Sequence, residues 1–210
     1  MSDVVSNAAN DVKKIKVFGT IKDGIAIGFK NIGPILVNLL LWILTCWIPY
    51  INVGTTIGMF VGIIAKAARN ESISMTEIFD RKYRKFMGEY FLVTGLMGLG
   101  ITIGFAFMII PGIIISIAWV FAPLIVIDKG KSPMEGISIS YQTTNGNKGK
   151  IYGALFFVTL IYLILSCIIG IIMAITVLGV LLLIVAALFY IFVYIGIYAS
   201  LYKQLADNVS

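Results

Sequence analysis

The sequence contains no histidine, only two cysteines and five prolines, and 12% charged residues among 210. Each shortage excludes something. Without histidine there is no usual general base, no usual zinc ligand, and no Ser-His or Cys-His nucleophile. Soluble domains are about one quarter charged, and this chain is 60% apolar with a mean hydropathy of +1.01. A 23.0 kDa water-soluble fold has too much surface to cover with so few charges. The composition therefore excludes a soluble globular protein, a disordered chain and a nucleic-acid-binding domain. Cys46 and Cys167 both fall inside apolar runs, so no disulfide framework is indicated. The polar first ten residues are not followed by a charged-apolar-small cleavage pattern, so no signal peptide is expected.

Charge is also absent by region. Residues 31–65, 90–127 and 151–202 carry none, in runs of 35, 38 and 52 residues. The 16 basic and 10 acidic groups, a net charge of +6, all lie between or beyond these runs. A spanning helix needs about 20 residues, and the longest run as one helix would be roughly 78 Å long. It must be two spans. If every run is a hairpin, all charged segments share one face, as cytoplasmic Lys/Arg-rich flanks do. The expected fold class is therefore an all-α integral membrane protein with six transmembrane helices in three hairpins. The spans fall at about 31–48, 53–68, 90–110, 112–127, 151–170 and 180–202, in one domain over 15–205 with polar tails at 1–14 and 206–210. Both termini are expected in the cytoplasm, with Lys30 and Lys66 snorkelling to the interface.

Breaks occur where hairpins need them. Ile48–Gly54 splits the first run, with Trp47 and Tyr50 as interfacial anchors, and Ile110-Pro111-Gly112 splits the second. The third has no proline, and its turn is expected between Gly170 and Gly179. Pro123 is expected to kink the fourth span.

An amphipathic segment precedes each hairpin, and the pattern predicts an in-plane cytoplasmic helix in each. The first carries Phe18, Ile21, Ile25, Phe29 and Ile32 at helical spacing. The second opens on a capping box, Ser74-Met75-Thr76-Glu77, and carries Phe79, Tyr83, Phe86 and Tyr90 on one stripe with Arg81, Lys82, Arg84 and Lys85 off it. The third opens on Ser132-Pro133-Met134-Glu135, again cap, first-turn proline and N3 carboxylate. Helix starts near 15, 74 and 133 suggest three units of helix then hairpin.

This order of parts resembles a broad set of prokaryotic six-span membrane proteins, mostly uncharacterised. The set includes the membrane region preceding some glycerophosphodiester phosphodiesterase domains. The similar pieces are Thr76-Glu77-Ile78-Phe79, Ile110-Pro111-Gly112-Ile113, Ala122-Pro123-Leu124-Ile125, and Ser132 to Ser140, within Gly19–Leu205. Gly136 stands where the family usually has alanine. The resemblance implies a fold and a prokaryotic cytoplasmic membrane. No hydrolase domain is present, so it does not carry phosphodiesterase chemistry.

Several polar and small-residue features remain. Gly54, Gly58 and Gly62 form a small-residue face on the second span, and Gly100 and Gly104 one on the third, for packing within the chain or self-association. Tyr190, Tyr194, Tyr198 and Tyr202 recur every four residues on the last span, and with Asn38 they are candidates to line a polar cavity. Arg81, Lys82, Arg84 and Lys85 are candidates to bind anionic lipid headgroups. Gly130-Lys131-Ser132 and Gly146–Lys150 look like fragments of a phosphate loop, but Ile125 stands where its first glycine is needed, so they read as solvated loops. The sequons at Asn70 and Asn208 lie on the expected cytoplasmic side. No catalytic residue, cofactor or metal site is expected.

With no ionisable group inside the uncharged runs, a pump or proton-coupled carrier is disfavoured. Two readings stand. The favoured one is a non-catalytic protein acting through membrane lipids or a membrane-protein partner. The alternative is a homo-oligomeric passive channel or small-solute permease, motivated by the glycine face and the tyrosine ladder.

Overall fold

The computed structural model describes residues 15–173 and 178–207, and all regular structure among them is helical. The elements are α1 (Val17–Lys30), α2 (Ile32–Thr45), α3 (Pro49–Ala68), a 3₁₀ turn (Glu77–Phe79), α4 (Arg81–Lys85), α5 (Met87–Phe107), α6 (Ile109–Ala118), α7 (Ala122–Lys129), α8 (Pro133–Thr144), α9 (Lys148–Met173) and α10 (Leu178–Leu205). Among the described residues, five stretches are long and apolar enough to cross a membrane: α3, α5, α6 with α7, α9 and α10. The predicted first span is the exception. α2 has 14 residues, short of the roughly 20 that a bilayer requires, and it joins α1 at a 74° bend.

Proline sets the breaks, displaced by a few residues from where the sequence alone places them. Pro49 takes the first turn of α3, after Trp47 and Tyr50 are turned outward. Between α5 and α6 the chain breaks at Met108 (φ −168°, ψ 158°), with Pro111 inside the next helix's first turn. Pro123 likewise sits in the first turn of α7, and the helix breaks before it at Trp119–Phe121. Such a break frees backbone groups that must find partners. Ser140 supplies them: its Oγ accepts the Phe121 N–H (3.1 Å) and donates to the Ala118 carbonyl (2.8 Å). Thr144 donates to the same carbonyl at 3.2 Å. α8 is thereby fastened to the broken span, and at Gly136 an added Cβ would collide with Val126. The turn expected between Gly170 and Gly179 falls between α9 and α10, where 174–177 lie outside the described residues.

The three amphipathic segments adopt three different forms. The first forms α1, but it is no in-plane collar. It follows α10 from Gln204, bonded to Thr20 at 3.3 Å, to Phe189, whose ring meets Phe29 at 5.6 Å. Gly24 and Gly28 seat against Gly196, Ile197 and Phe192, with close backbone approach between the two helices. α1 buries Thr20, Gly24 and Gly28, while Phe18 (80% exposed) and Phe29 (51%) face outward. The apolar stripe is thus divided, with Ile21 packed against the core and Phe29 against Phe189 while Phe18 stays largely exposed.

The second segment forms only the 3₁₀ turn and the five-residue α4, so the predicted helix from Ser74 is corrected. The Glu77 N–H bonds the Ser74 backbone carbonyl, and the Glu77 side chain turns elsewhere. The helix cap is Asp80, accepting from the Lys82 N–H at 3.0 Å. The third segment forms the predicted capping box: Glu135 N–H to Ser132 Oγ at 3.4 Å and Ser132 N–H to Glu135 Oε2 at 3.0 Å. It ends through Asn145 and Gly146 (φ +75°), a left-handed turn suited to glycine.

Candidate functional site

The charged groups do not stay apart as independent flanks. α3, α7 and α10 all end at one pole of the bundle. There Arg69 grips Asp128 with Nη1 at 2.9 and 2.8 Å, and its Nε donates to Glu71 at 2.6 Å. Asp207 lies 3.5 Å from both Arg69 and Lys129, and the Lys129 ammonium donates to the Asp207 backbone carbonyl at 2.6 Å. Tyr202 closes the group by donating its hydroxyl to Asp128 at 2.9 Å. Burial disfavours the Arg69 charge, but hydrogen bonds to Glu71 and Asp128 outweigh it and raise its pKa above the ordinary value.

A second acid-centred cluster adjoins it. Glu77, with a side chain only 3% exposed, accepts from Lys66 (2.7 Å) and from the Tyr83 hydroxyl (2.7 Å). The Lys82 ammonium stands 3.5 Å from the same carboxylate and 4.8 Å above the Tyr83 ring. Burial alone would raise the Glu77 pKa. The hydrogen bonds from Lys66 and Tyr83 win and hold it below the usual carboxylate range, while burial and Glu77 push the Tyr83 phenol up.

Between the clusters lies a polar cavity of about 250 Å³, whose lining includes Lys66, Arg69, Lys82, Tyr83 and Asp128. Beside it is a larger groove of about 390 Å³, walled by Phe60, Ile64, Tyr90, Leu124 and the rings of Tyr190, Tyr194 and Tyr198. Val61 borders both. On α7 the polar cavity follows the groove by about one helical turn toward the pole, Asp128 against Leu124, and Phe86, the residue before α5, stands one turn from Tyr90; on α3 the two linings run side by side.

The sequence-based candidates divide accordingly. Tyr190, Tyr194 and Tyr198 line the groove with successive rings tilted against one another at 5.6 and 5.5 Å between centroids. Tyr190 also shares a hydrogen bond with Thr159 at 3.1 Å. Tyr202 is corrected: it is buried and bonded to Asp128 rather than lining the groove. Asn38 is corrected as well. It is fully buried and clamps the second segment, donating to the Ser74 carbonyl (2.8 Å) and accepting the Ile78 N–H (3.1 Å). Gly54, Gly58 and Gly62 are covered from within by Arg84, Ile78 and Tyr83, and Gly100 and Gly104 by Trp119 and by Ile115 with Gly112. Both small-residue faces therefore serve packing inside the chain. Arg81, Lys82, Arg84 and Lys85 are all exposed, and of these Lys82 lines the polar cavity.

Sequence reasoning missed Lys66, Arg69, Glu77, Tyr83 and Asp128 as a site. In the sequence Glu77 is the carboxylate of a capping box and Tyr83 part of a stripe, and the rest are flanking charges whose partners are distant in sequence. One signal was present: an acid and a base at the ends of spans that must finish on the same face. Among the described residues no group of three or more His, Cys, Asp or Glu side chains is placed to hold a metal ion.

Fold and site together define an all-helical membrane-type protein with a charge-lined polar pole. No protein-family model matches the chain, and no curated protein and no solved structure matches it either.

Proposed function

We propose that this chain is a non-catalytic polytopic protein of a prokaryotic cytoplasmic membrane, acting through anionic lipids at its charged pole. In this reading the bent pair α1–α2 counts as the sixth span, and both termini lie in the cytoplasm. The observation that carries it is the cavity lined by Lys66, Arg69 and Lys82 at the edge of the apolar bundle. Cations at that level attract anionic headgroups, at about 1 kcal/mol per basic group near the surface. The exposed Arg81, Arg84 and Lys85 add to the same field. The pole from Lys66 to Lys85, together with Asp128, Lys129 and Asp207, holds seven basic and five acidic groups, an excess of two positive charges.

Native mass spectrometry from detergent tests the proposal. The protein should retain phosphatidylglycerol in preference to phosphatidylcholine, and the preference should weaken as ammonium acetate is raised. Equal retention of the two lipids overturns it.

The passive-channel reading rests on the tyrosine ladder. Its two ends are occupied by bonds to Thr159 and Asp128, and its middle faces a groove of rings and branched aliphatic chains. A wall of that kind offers water and ions little polar surface through hydrocarbon. Sealed liposomes carrying the protein should show no ion or glycerol flux above empty vesicles. Reproducible flux, reduced by Tyr194→Phe or Tyr198→Phe, would promote the channel reading.

A further inference from the structure

We infer that the polar cavity and the tyrosine groove are two halves of one slot for a single anionic phospholipid. The phosphate sits among Lys66, Arg69 and Lys82, and one acyl chain lies along Tyr198, Tyr194 and Tyr190. The inference rests on the anionic-lipid reading above and narrows it from a surface to a seat.

The register of the two spaces carries the inference. A phospholipid is a charged head joined to an apolar chain, and its site needs donors at one depth and apolar walls immediately below. From Arg69, just past the end of α3, to Phe60 in the groove is nine residues, roughly 13 Å along the axis. From Tyr202 at the pole to Tyr190 is twelve residues of α10, roughly 18 Å. The change from polar to apolar lining happens within one turn on α7 and at the start of α5, and on α3 the two spaces run side by side with Val61 bordering both. The groove is long enough for the upper half of an acyl chain, and aromatic faces suit its methylenes.

The head end has donors to spare. An ammonium carries three N–H groups and a guanidinium five. Lys66 spends one strong bond on Glu77, and Lys82 approaches Glu77 and Asp80 only at 3.5 and 3.7 Å. Arg69 uses Nε and Nη1, leaving Nη2 for a phosphate oxygen. Asp128 is the one carboxylate that lines the cavity, and it is already held by Arg69 and Tyr202. The cavity lining itself holds three cations and one carboxylate, and the acids that contact those cations from outside it leave ammonium and guanidinium N–H groups free for a phosphodiester oxygen. Glu71 and Asp207 reach Arg69 without lining the cavity.

The test is native mass spectrometry of the full chain with dioleoylphosphatidylglycerol, dioleoylphosphatidylcholine and sn-glycerol 3-phosphate as probes. The wild type should hold one phosphatidylglycerol tightly. Lys82→Gln removes an exposed cation and should lower that retention about fivefold, the effect expected of one basic group at such a site. Val120→Trp or Ile191→Trp, at half-buried positions in the groove wall, should fill the chain end and lower it several-fold with the head end untouched. The triple variant Arg81→Gln, Arg84→Gln, Lys85→Gln weakens only the surrounding field and should lower that retention less than Lys82→Gln alone. Thermal melts in the same detergent confirm that each variant is folded, and Lys82→Gln keeps the Lys66 and Tyr83 bonds to Glu77, losing only its own longer approach to that carboxylate and the Tyr83 ring. If the triple variant strips the lipid while Lys82→Gln and the tryptophan variants retain it, the slot is refuted and the surface reading survives. If glycerol phosphate displaces the lipid at equal concentration, the groove contributes nothing and the slot is likewise refuted. If the wild type does not distinguish the two phospholipids, both readings fall.

Discussion

Two segments of this molecule begin with nearly the same letters and end as different structures. Ser74-Met75-Thr76-Glu77 and Ser132-Pro133-Met134-Glu135 both spell a hydroxyl cap with a carboxylate three residues on. At Ser132 the box closes, proline pre-sets the first turn, and a 12-residue helix follows. At Ser74 no box forms. Glu77 is buried against Lys66 and Tyr83, and the chain is laid over the glycine face of α3 as a turn and a five-residue helix. The difference is competition. A capping carboxylate exposed to solvent has nothing better to bond than its own backbone. One that lands beside a lysine and a phenol in a dry seat does, because charge-assisted bonds are the stronger ones. The same motif is therefore a local signal in one place and a tertiary contact in the other.

The sharpest way to break this contrast is Glu77→Ala. It leaves Lys66 and the Tyr83 hydroxyl without their shared partner, and removing one member of a buried pair costs about 3 kcal/mol or more. Denaturant unfolding in detergent should show this loss, and Glu135→Ala should show far less. A pH series separates the two roles further. Because the folded-state pKa of Glu77 is depressed, its contribution is fully present above the ordinary carboxylate value and is lost as pH falls through the lower folded value. Glu77→Gln should flatten that acid limb. An unchanged acid midpoint in the variant would show that Glu77 is not the group responsible.

Next in size is the seat of the second segment. Gly58→Leu would drive a side chain into the Ile78 Cα, 2.7 Å from an added Cβ, and into the Tyr83 ring. Overpacking of that kind costs about 1–3 kcal/mol. Gly95, with nothing within 4 Å of an added Cβ, is the control. Gly95→Ala should be neutral or raise the melting temperature. Equal losses for Gly58→Leu and Gly95→Ala would mean that the glycine face is not a seat.

The third segment is held by hydroxyls rather than by charge. Ser140→Ala orphans the Phe121 N–H and leaves the Ala118 carbonyl to Thr144 alone, so a loss of about 1–2 kcal/mol is expected. Adding Thr144→Val should deepen the loss by more than Thr144→Val costs alone, because the two hydroxyls share the Ala118 acceptor. Additive losses in the double variant would argue against that shared role. The smallest effect belongs to Ser132→Ala, an exposed N-cap worth about 1 kcal/mol. It should shift the melting temperature slightly and leave lipid retention intact. A loss at Ser132 as large as that at Glu77 would erase the contrast between the segments.

The same competition explains which parts of the site were legible beforehand. Tyr190, Tyr194 and Tyr198 were visible because four-residue spacing places side chains on one helix face, and they share the groove. Tyr202 continues that spacing but is captured by Asp128, a partner 74 residues away. Asn38 looked like a cavity polar group because an amide in an apolar run needs partners. Which partners it finds depends on where Ser74 and Ile78 are laid down. Glycine spacing marked close approach correctly, but not what approaches. Gly24, Gly28 and Gly196 went unnoticed, although they bring α1 and α10 together.

By itself, the sequence determined the solvent and the class of this protein. Long uncharged runs cannot be solvated, so they become apolar helices, and proline fixes near which residues those helices break. The Ser132 box and the Gly146 turn were local too, since their bonds close within a few residues. Tertiary structure decided the rest. The 74° bend after α1, the division of its apolar stripe between the core and the outside, and the strap over α3 depend on which surfaces meet. So does the polar pole, where Arg69 finds Asp128 across 59 residues and Asp207 lies beside both Arg69 and Lys129. An ion pair is set by distance in space, and a sequence states only distance along the chain.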